Sequence, residues 1–188
     1  MKVGVYVGSF NPVHNGHKMI MDYLLEKKYL DKIIVIPTLS YWDKNNLIDI
    51  KDRINMLKYL ETDKIIINTT LNKYEYTYEV LDELSKHYND LYLIIGADNL
   101  EKFHLWKNVD KILEHKILVI NRNSIDVSKY INKDNFILIN GLDEIDISST
   151  YIRENINKKE IENIIDKDVL KYIKDNKLYE VDNEKSSK

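Results

Sequence analysis

Six short, nearly unbroken apolar runs divide this chain: Val3 to Val7, Ile33 to Ile36, Ile65 to Ile67, Leu91 to Ile95, Ile117 to Ile120 and Phe136 to Ile139. Such runs lack polar alternation, so they suit strands covered on both faces, the condition of a parallel sheet. Between them the apolar period becomes helical, near Gly16 to Lys28, Asp49 to Leu60 and Thr77 to Tyr88, with Ile20, Tyr23, Leu24 and Lys27 sharing a face of the first. Helices in those places make right-handed crossovers. The pattern predicts an α/β fold, a doubly wound and mainly parallel sheet of five to six strands flanked by helices. A last helix around Val169 to Ile173 leads to Leu178-Tyr179. Residues 1–180 then form one domain, and the polar stretch 181–188 reads as a disordered tail.

Composition narrows the function. The 188 residues carry a formal net charge of -3 with interspersed charges, so no basic stripe offers itself to a nucleic acid and no polybasic patch to a membrane. There is no cysteine, which removes disulfides and thiolate metal sites and fits a reducing compartment. The first apolar run ends at Gly8 and Pro12, too early for a signal peptide, and the later runs are too short to span a bilayer. A cytoplasmic protein without membrane contact is expected.

The segment from Val3 to His17, VGVYVGSFNPVHNGH, runs from a strand into a glycine turn and then into two histidines at the mouth of a helix. Gly8 and Ser9 let backbone approach a ligand closely, and His17 falls in the first helical turn. Free amides and the positive end of the helix dipole favour an anion there, and imidazoles add directed donors to phosphate oxygens. Gly8 and Gly16 are too far apart for a dinucleotide fingerprint, and no Gly-Lys-Ser/Thr follows for a P-loop. Far downstream, Ile147-Ser148-Ser149-Thr150-Tyr151-Ile152-Arg153 offers Ser148 or Ser149 as an N-cap for a short helix from Thr150 to Asn157. Arg153 would then be a cation in a first turn, opposed to the dipole unless a polyphosphate binds there or Glu154 or Asp146 pairs with it.

The H-x-G-H motif after G-x-F-x-P, at Gly8, Phe10, Pro12, His14, Gly16 and His17, resembles the signature of a nucleotidyltransferase superfamily with a Rossmann-like fold, and Ile147 to Arg153 resembles its I-S-S-T-x-x-R element. The segment Gly96, Ala97, Asp98, Leu100, Phe103 and Trp106 is similar to the G-A-D-x-L-x-x-F-x-x-W element of bacterial nicotinate mononucleotide adenylyltransferases. Tyr76-Thr77, Arg53, Arg122 and the Leu178-Tyr179 end agree with that family, so the resemblance runs from residue 3 to about residue 179. It implies that the first and fourth strands are neighbours, with the turns at Gly8 and Gly96 facing one another across one crevice. One departure is clear: where the family has a P-P-H-K run, this chain has Ser40-Tyr41-Trp42-Asp43-Lys44.

The resemblance implies attack by the phosphate of nicotinate mononucleotide on the α-phosphorus of ATP, with Mg²⁺ accompanying ATP. His14, His17 and Arg153 would be catalytic. Gly8, Ser9, Phe10, Gly16, Gly96, Asp98, Ile147, Ser148 and Ser149 would bind ATP. Lys44, Thr77, Trp106 and Arg122 would bind the nicotinate nucleotide. Spacing alone favours Trp106 packing a short helix with Phe103 and Leu100, and only the resemblance turns it toward the ligand; Asp98 with Glu101 could form an N-cap. His87, His104 and His115 lie outside the motifs. Two other readings stand beside this one: a sister adenylyltransferase for nicotinamide mononucleotide or phosphopantetheine, and a non-catalytic nucleotide-binding regulator. The oligomeric state is not readable from the sequence.

Overall fold

The structure is a computed structural model that describes residues 1–39, 47–122, 126–131, 134–142 and 145–180. Lys44, with the rest of the Ser40 to Asn46 loop, and the expected tail at 181–188 lie outside the described residues. The chain runs β1 (Val3–Gly8), α1 (Asn15–Glu26), β2 (Lys32–Pro37), α2 (Ile50–Leu57), β3 (Ile65–Ile67), α3 (Thr77–Ser85) and β4 (Leu91–Gly96). It continues through α4 (Leu100–Phe103), α5 (Val109–Ile112), β5 (Lys116–Ile120), β6 (Phe136–Ile139), α6 (Ser149–Glu154) and α7 (Lys167–Asp175). All six expected apolar runs are strands.

The strands form one sheet in the order β3-β2-β1-β4-β5-β6, and each neighbouring pair is parallel. The chain starts in the middle, winds outward to β3, then returns beside β1 to lay down β4. The order therefore reverses between β1 and β4, which places a crevice above their carboxyl ends, as in Rossmann-like folds. Apolar residues leave the sheet in both directions. Val3, Val5, Ile34, Leu93 and Val119 pack with Val80, Leu81 and Leu84 of α3. Ile33, Val35, Ile94 and Leu118 pack with Ile20, Met21 and Leu24 of α1, Met56 and Leu57 of α2, and Val169 and Ile173 of α7. Each such side chain contributes about 1.5–3 kcal/mol when fully buried, so the sheet is rigid where the crevice needs walls.

Several helices end earlier than the sequence period predicts. α1 stops at Glu26 because Lys28 adopts a left-handed backbone (φ 61°) that turns the chain toward Leu30. Lys27 is therefore exposed, its ammonium lying 6.0 Å above the Tyr23 ring, and the buried stripe is Ile20, Met21 and Leu24. α2 tightens after Leu57 into a 3₁₀ turn at Lys58–Leu60, and α3 ends at Ser85. α6 spans Ser149–Glu154 instead of reaching Asn157, which puts Arg153 in its last turn rather than its first. The expected clash between Arg153 and the helix dipole therefore does not arise.

Arg53 of α2 holds the walls of the crevice together. Only 1% exposed, it donates from Nε to the Ile48 carbonyl (3.0 Å) and from Nη1 to the carbonyls of Ser9 (2.8 Å) and Thr38 (2.7 Å). The turns after β1 and β2 and the entry to α2 thus converge on one guanidinium, whose planar fork suits several acceptors. Replacing Arg53 with Met keeps the aliphatic stem and removes every donor. Urea denaturation should show a loss of about 2–4 kcal/mol, since three carbonyls lose their partner; a loss below about 0.5 kcal/mol would contradict this role.

Candidate active site

A cleft of about 490 Å³ opens at the carboxyl ends of β1, β4 and β5, where the strand order reverses. Gly8 and Gly96, the last residues of β1 and β4, both line it, so the two glycine turns do share one crevice. Ser9, Phe10, His17, Asp98, Trp106, Arg122 and Ser149 also form its walls. His14, Gly16, Ile147, Ser148, Arg153 and Thr77 do not line this cleft: the first five support its edge or lie nearby in the same two motifs, and Thr77 opens α3.

The two histidines form a reciprocal cap at the start of α1. His14 is the N-cap residue; its Nδ1 accepts the Gly16 amide at 3.0 Å, while Nδ1 of His17 accepts the His14 amide at 3.1 Å. The rings stack with centroids 3.8 Å apart. A neutral imidazole that accepts at one nitrogen carries its proton on the other, so both rings are Nε2–H donors. Burial is the main force keeping them neutral. It pushes His14 down to about 3, helped by the Arg122 guanidinium, and holds His17 well below its ordinary value, where His14 and Arg122 add to the effect. Gly16 is required by this arrangement, because a Cβ there would lie 2.8 Å from Cε1 of His14 and 3.1 Å from Cγ2 of Ile145. Phe10 takes a left-handed backbone (φ 47°) and sets its ring edge-on to His17 at 4.9 Å and to Tyr6 at 5.3 Å.

The downstream motif binds the upstream one. Ser148 caps α6, its Oγ accepting the Tyr151 amide at 3.1 Å. Ser149 donates its hydroxyl to the Pro12 carbonyl (2.9 Å), and Arg153 donates from Nη1 to the Asn11 carbonyl (2.9 Å) and from Nη2 to Oγ1 of Thr150 (3.3 Å). Arg122 donates to the Ile147 carbonyl at 3.3 Å while facing the cleft. Two segments 137 residues apart are thus joined by side chains acting on backbone.

Across the cleft, Trp106 is half-buried and packs at 5.0 Å against Phe103 while also lining the cavity. Packing and ligand stacking are therefore compatible for this indole. Asp98 does not act as a cap: it lies inside the 3₁₀ turn Ala97–Asn99, whose N-cap is Gly96, and its exposed carboxylate faces the cleft. No motif points to Tyr6 or Thr38, yet both line the cavity. Tyr6 is a strand residue two before Gly8, and burial raises its phenol above the ordinary value. Of the remaining histidines, His87 and His104 are exposed and His115 half-buried, away from this cleft. Among the described residues no three His, Cys, Asp or Glu side chains gather as a metal site, and no helix is long and apolar enough to cross a membrane.

The cytidylyltransferase-like family profile matches residues 5–155. A Flavobacterium psychrophilum protein named "Probable nicotinate-nucleotide adenylyltransferase" is 35% identical, covering 95% of this chain and 99% of its own length. The Clostridium tetani protein of the same name is 36% identical over 95% of this chain and 98% of its own. Among solved structures, Plasmodium falciparum nicotinic acid mononucleotide adenylyltransferase complexed with NaAD has the same fold, with a TM-score of 0.80, 24% identity, and coverage of 95% of this chain and 97% of that one. With the His14 to His17 and Ile147 to Arg153 motifs and the Gly96 to Trp106 element gathered at one crevice of such a sheet, the chain belongs to the nicotinate-nucleotide adenylyltransferases of the cytidylyltransferase-like family.

Proposed function

We propose that this protein transfers the adenylyl group of ATP to nicotinate mononucleotide, giving nicotinate adenine dinucleotide and pyrophosphate, a step of NAD biosynthesis. The observation that carries the reading is the union, in one cleft, of the imidazole-capped start of α1 with the half-buried indole of Trp106. One end attracts phosphate and the other offers a flat π-face to a pyridinium ring.

The acceptor phosphate is already an anion, so no protein nucleophile or general base is needed. Its oxygen attacks the α-phosphorus as the bond to the β-phosphate breaks, and pyrophosphate leaves with that electron pair. The protein's task is alignment and charge stabilisation. His17 gives its Nε2–H to a phosphate oxygen, and His14, stacked on it, holds its tautomer and angle. Hydrogen bonds to charged groups contribute about 1.5–3 kcal/mol each. Gly8, Ser9 and Phe10 bring backbone close to the nucleotide, and Gly16 leaves room for the His14 ring. Gly96 and Asp98 receive the adenosine side, Asp98 by accepting from the ribose. Arg122 neutralises phosphate, and Trp106 stacks on the nicotinate ring with Thr77 and Lys44 assisting that nucleotide.

Ile147, Ser148 and Ser149 frame the triphosphate, and Arg153 grips its outer phosphates as a planar cation. Ser149 lines the cleft while its hydroxyl holds the Pro12 carbonyl, so it frames the nucleotide without releasing the loop. Magnesium enters as part of the nucleotide substrate, which suits an ion that keeps much of its water and phosphate shell. Substrates of this kind support a cytoplasmic setting without a nucleic-acid or membrane partner.

Two substitutions separate the halves of the site. His17→Ala should lower kcat about 10²–10³-fold, the range for loss of one transition-state donor. Trp106→Ala should raise KM for nicotinate mononucleotide about tenfold or more, as expected for loss of roughly 1.4 kcal/mol or more of stacking, and leave KM for ATP within about twofold. Near-normal turnover in the first, or equal effects on both substrates in the second, would contradict the assignment.

The neutral pair also sets a pH dependence. Below the ordinary imidazole value of 6.5, unfolded chains bind protons that the folded protein refuses, until about pH 3 at His14. Stability is therefore complete above that value and falls as the pH drops through this window, with a limiting slope of about 1.4 kcal/mol per pH unit for each histidine. Urea unfolding at pH 7, 6 and 5 should show this slope flattened in a His14→Gln, His17→Gln double variant; equal slopes would contradict it.

A further inference from the structure

The loop that aims the two histidines is held at its backbone by side chains from distant parts of the chain. Arg53 takes the Ser9 carbonyl, Arg153 the Asn11 carbonyl and Ser149 the Pro12 carbonyl. Asn11 is 3% exposed, and its Oδ1 accepts the Tyr179 hydroxyl at 2.7 Å and the Ile48 amide at 3.5 Å. Tyr179 comes from 168 residues downstream.

Delivering that hydroxyl is costly for the backbone. After α7 ends at Asp175, both Lys177 (φ 53°) and Tyr179 (φ 64°) are left-handed, although neither is glycine. Such residues persist where surrounding contacts over-determine them. The helix leading to them is itself anchored: the Tyr172 hydroxyl donates to Asp52 (2.6 Å) and accepts from Nδ2 of Asn55 (3.0 Å), residues that bracket Arg53 on α2. Burial raises the Tyr179 phenol above its ordinary value against the opposing influence of Arg153 and Arg53, so its hydroxyl remains a donor at any working pH.

We infer that Tyr179 is a positioning residue for adenylyl transfer, its hydrogen bond to Asn11 fixing the loop before α1 and thereby the aim of His14 and His17 at the nucleotide phosphates. The closing segment of the chain thus reaches the reaction without touching substrate. The inference rests on the adenylyltransferase reading for its catalytic consequence, and on the loop geometry alone for its structural one.

Tyr179→Phe in the full chain keeps the ring and deletes the hydroxyl. Pyrophosphate release should show kcat per folded molecule lowered about 5–20-fold, since small misalignments of reacting groups are costly, with both KM values within about twofold and an unaltered pH profile. In an Asn11→Ala background the same change should cause no further loss. The ring-nitrogen NMR signals of His14 and His17 in the unliganded protein should also shift in Tyr179→Phe. A variant with a lower Tm but unchanged kcat would make Tyr179 a mere staple. Additive losses in the double variant, or unmoved histidine signals, would likewise overturn the inference. Wild-type protein inactive toward nicotinate mononucleotide would overturn the substrate reading instead, leaving Tyr179 to be judged on the histidine signals.

Discussion

The amides at the start of α1 need acceptors, and the chain supplies them from two imidazoles instead of hydroxyls or carboxylates. That choice consumes Nδ1 of both His14 and His17, fixes the protons on Nε2, and brings the rings into a stack that burial keeps neutral. With no acid in its first turn, the helix end is left as a donor surface. Much of the remaining architecture can be understood as what this cap requires: a glycine at 16 because the His14 ring occupies the space of a Cβ, a left-handed Phe10 that brings its ring to His17, and a wall of Arg122 that adds positive potential.

A loop that carries such a cap must be rigid: Phe10 and Val13 bury their side chains in the core, but its carbonyls lie outside the ladders of the sheet. They are instead shared among Arg53, Ser149 and Arg153, and its Asn11 side chain among Ile48 and Tyr179. These partners come from α2 and the residues leading into it, from α6 and from the segment after α7, so one crossover and the elements that follow the last strand meet at one point. Preorganisation of that kind matters for a reaction whose catalysis is alignment and electrostatics, because no reorganisation is then needed when charge moves toward pyrophosphate.

What was legible in the sequence follows from range. The strands were visible because a parallel strand covered on both faces reads as an unbroken apolar run, and the cap and crevice residues were visible because each motif is local. Helix ends were read less well. The stop of α1 depends on a left-handed lysine that no period announces, and Arg153 falls in the last turn of α6 because that helix starts at Ser149 and Asn155 leaves the helical backbone (φ -128°). Asp98 looked like a cap because of its spacing to Glu101, whereas the turn already begins at Gly96. Arg53 and Tyr179 are legible only as agreement with a family. Their work is done on carbonyl and amide oxygens 44 and 168 residues away, a relation that only the folded chain contains.

The central claim is that one crevice joins a phosphate site to a site for a nicotinate nucleotide. The most direct measurement is pyrophosphate release from MgATP with nicotinate mononucleotide, nicotinamide mononucleotide or phosphopantetheine supplied separately. Strong release with the first and little with the others is the expected result. Preference for either of the others, or silence with all three, would contradict it.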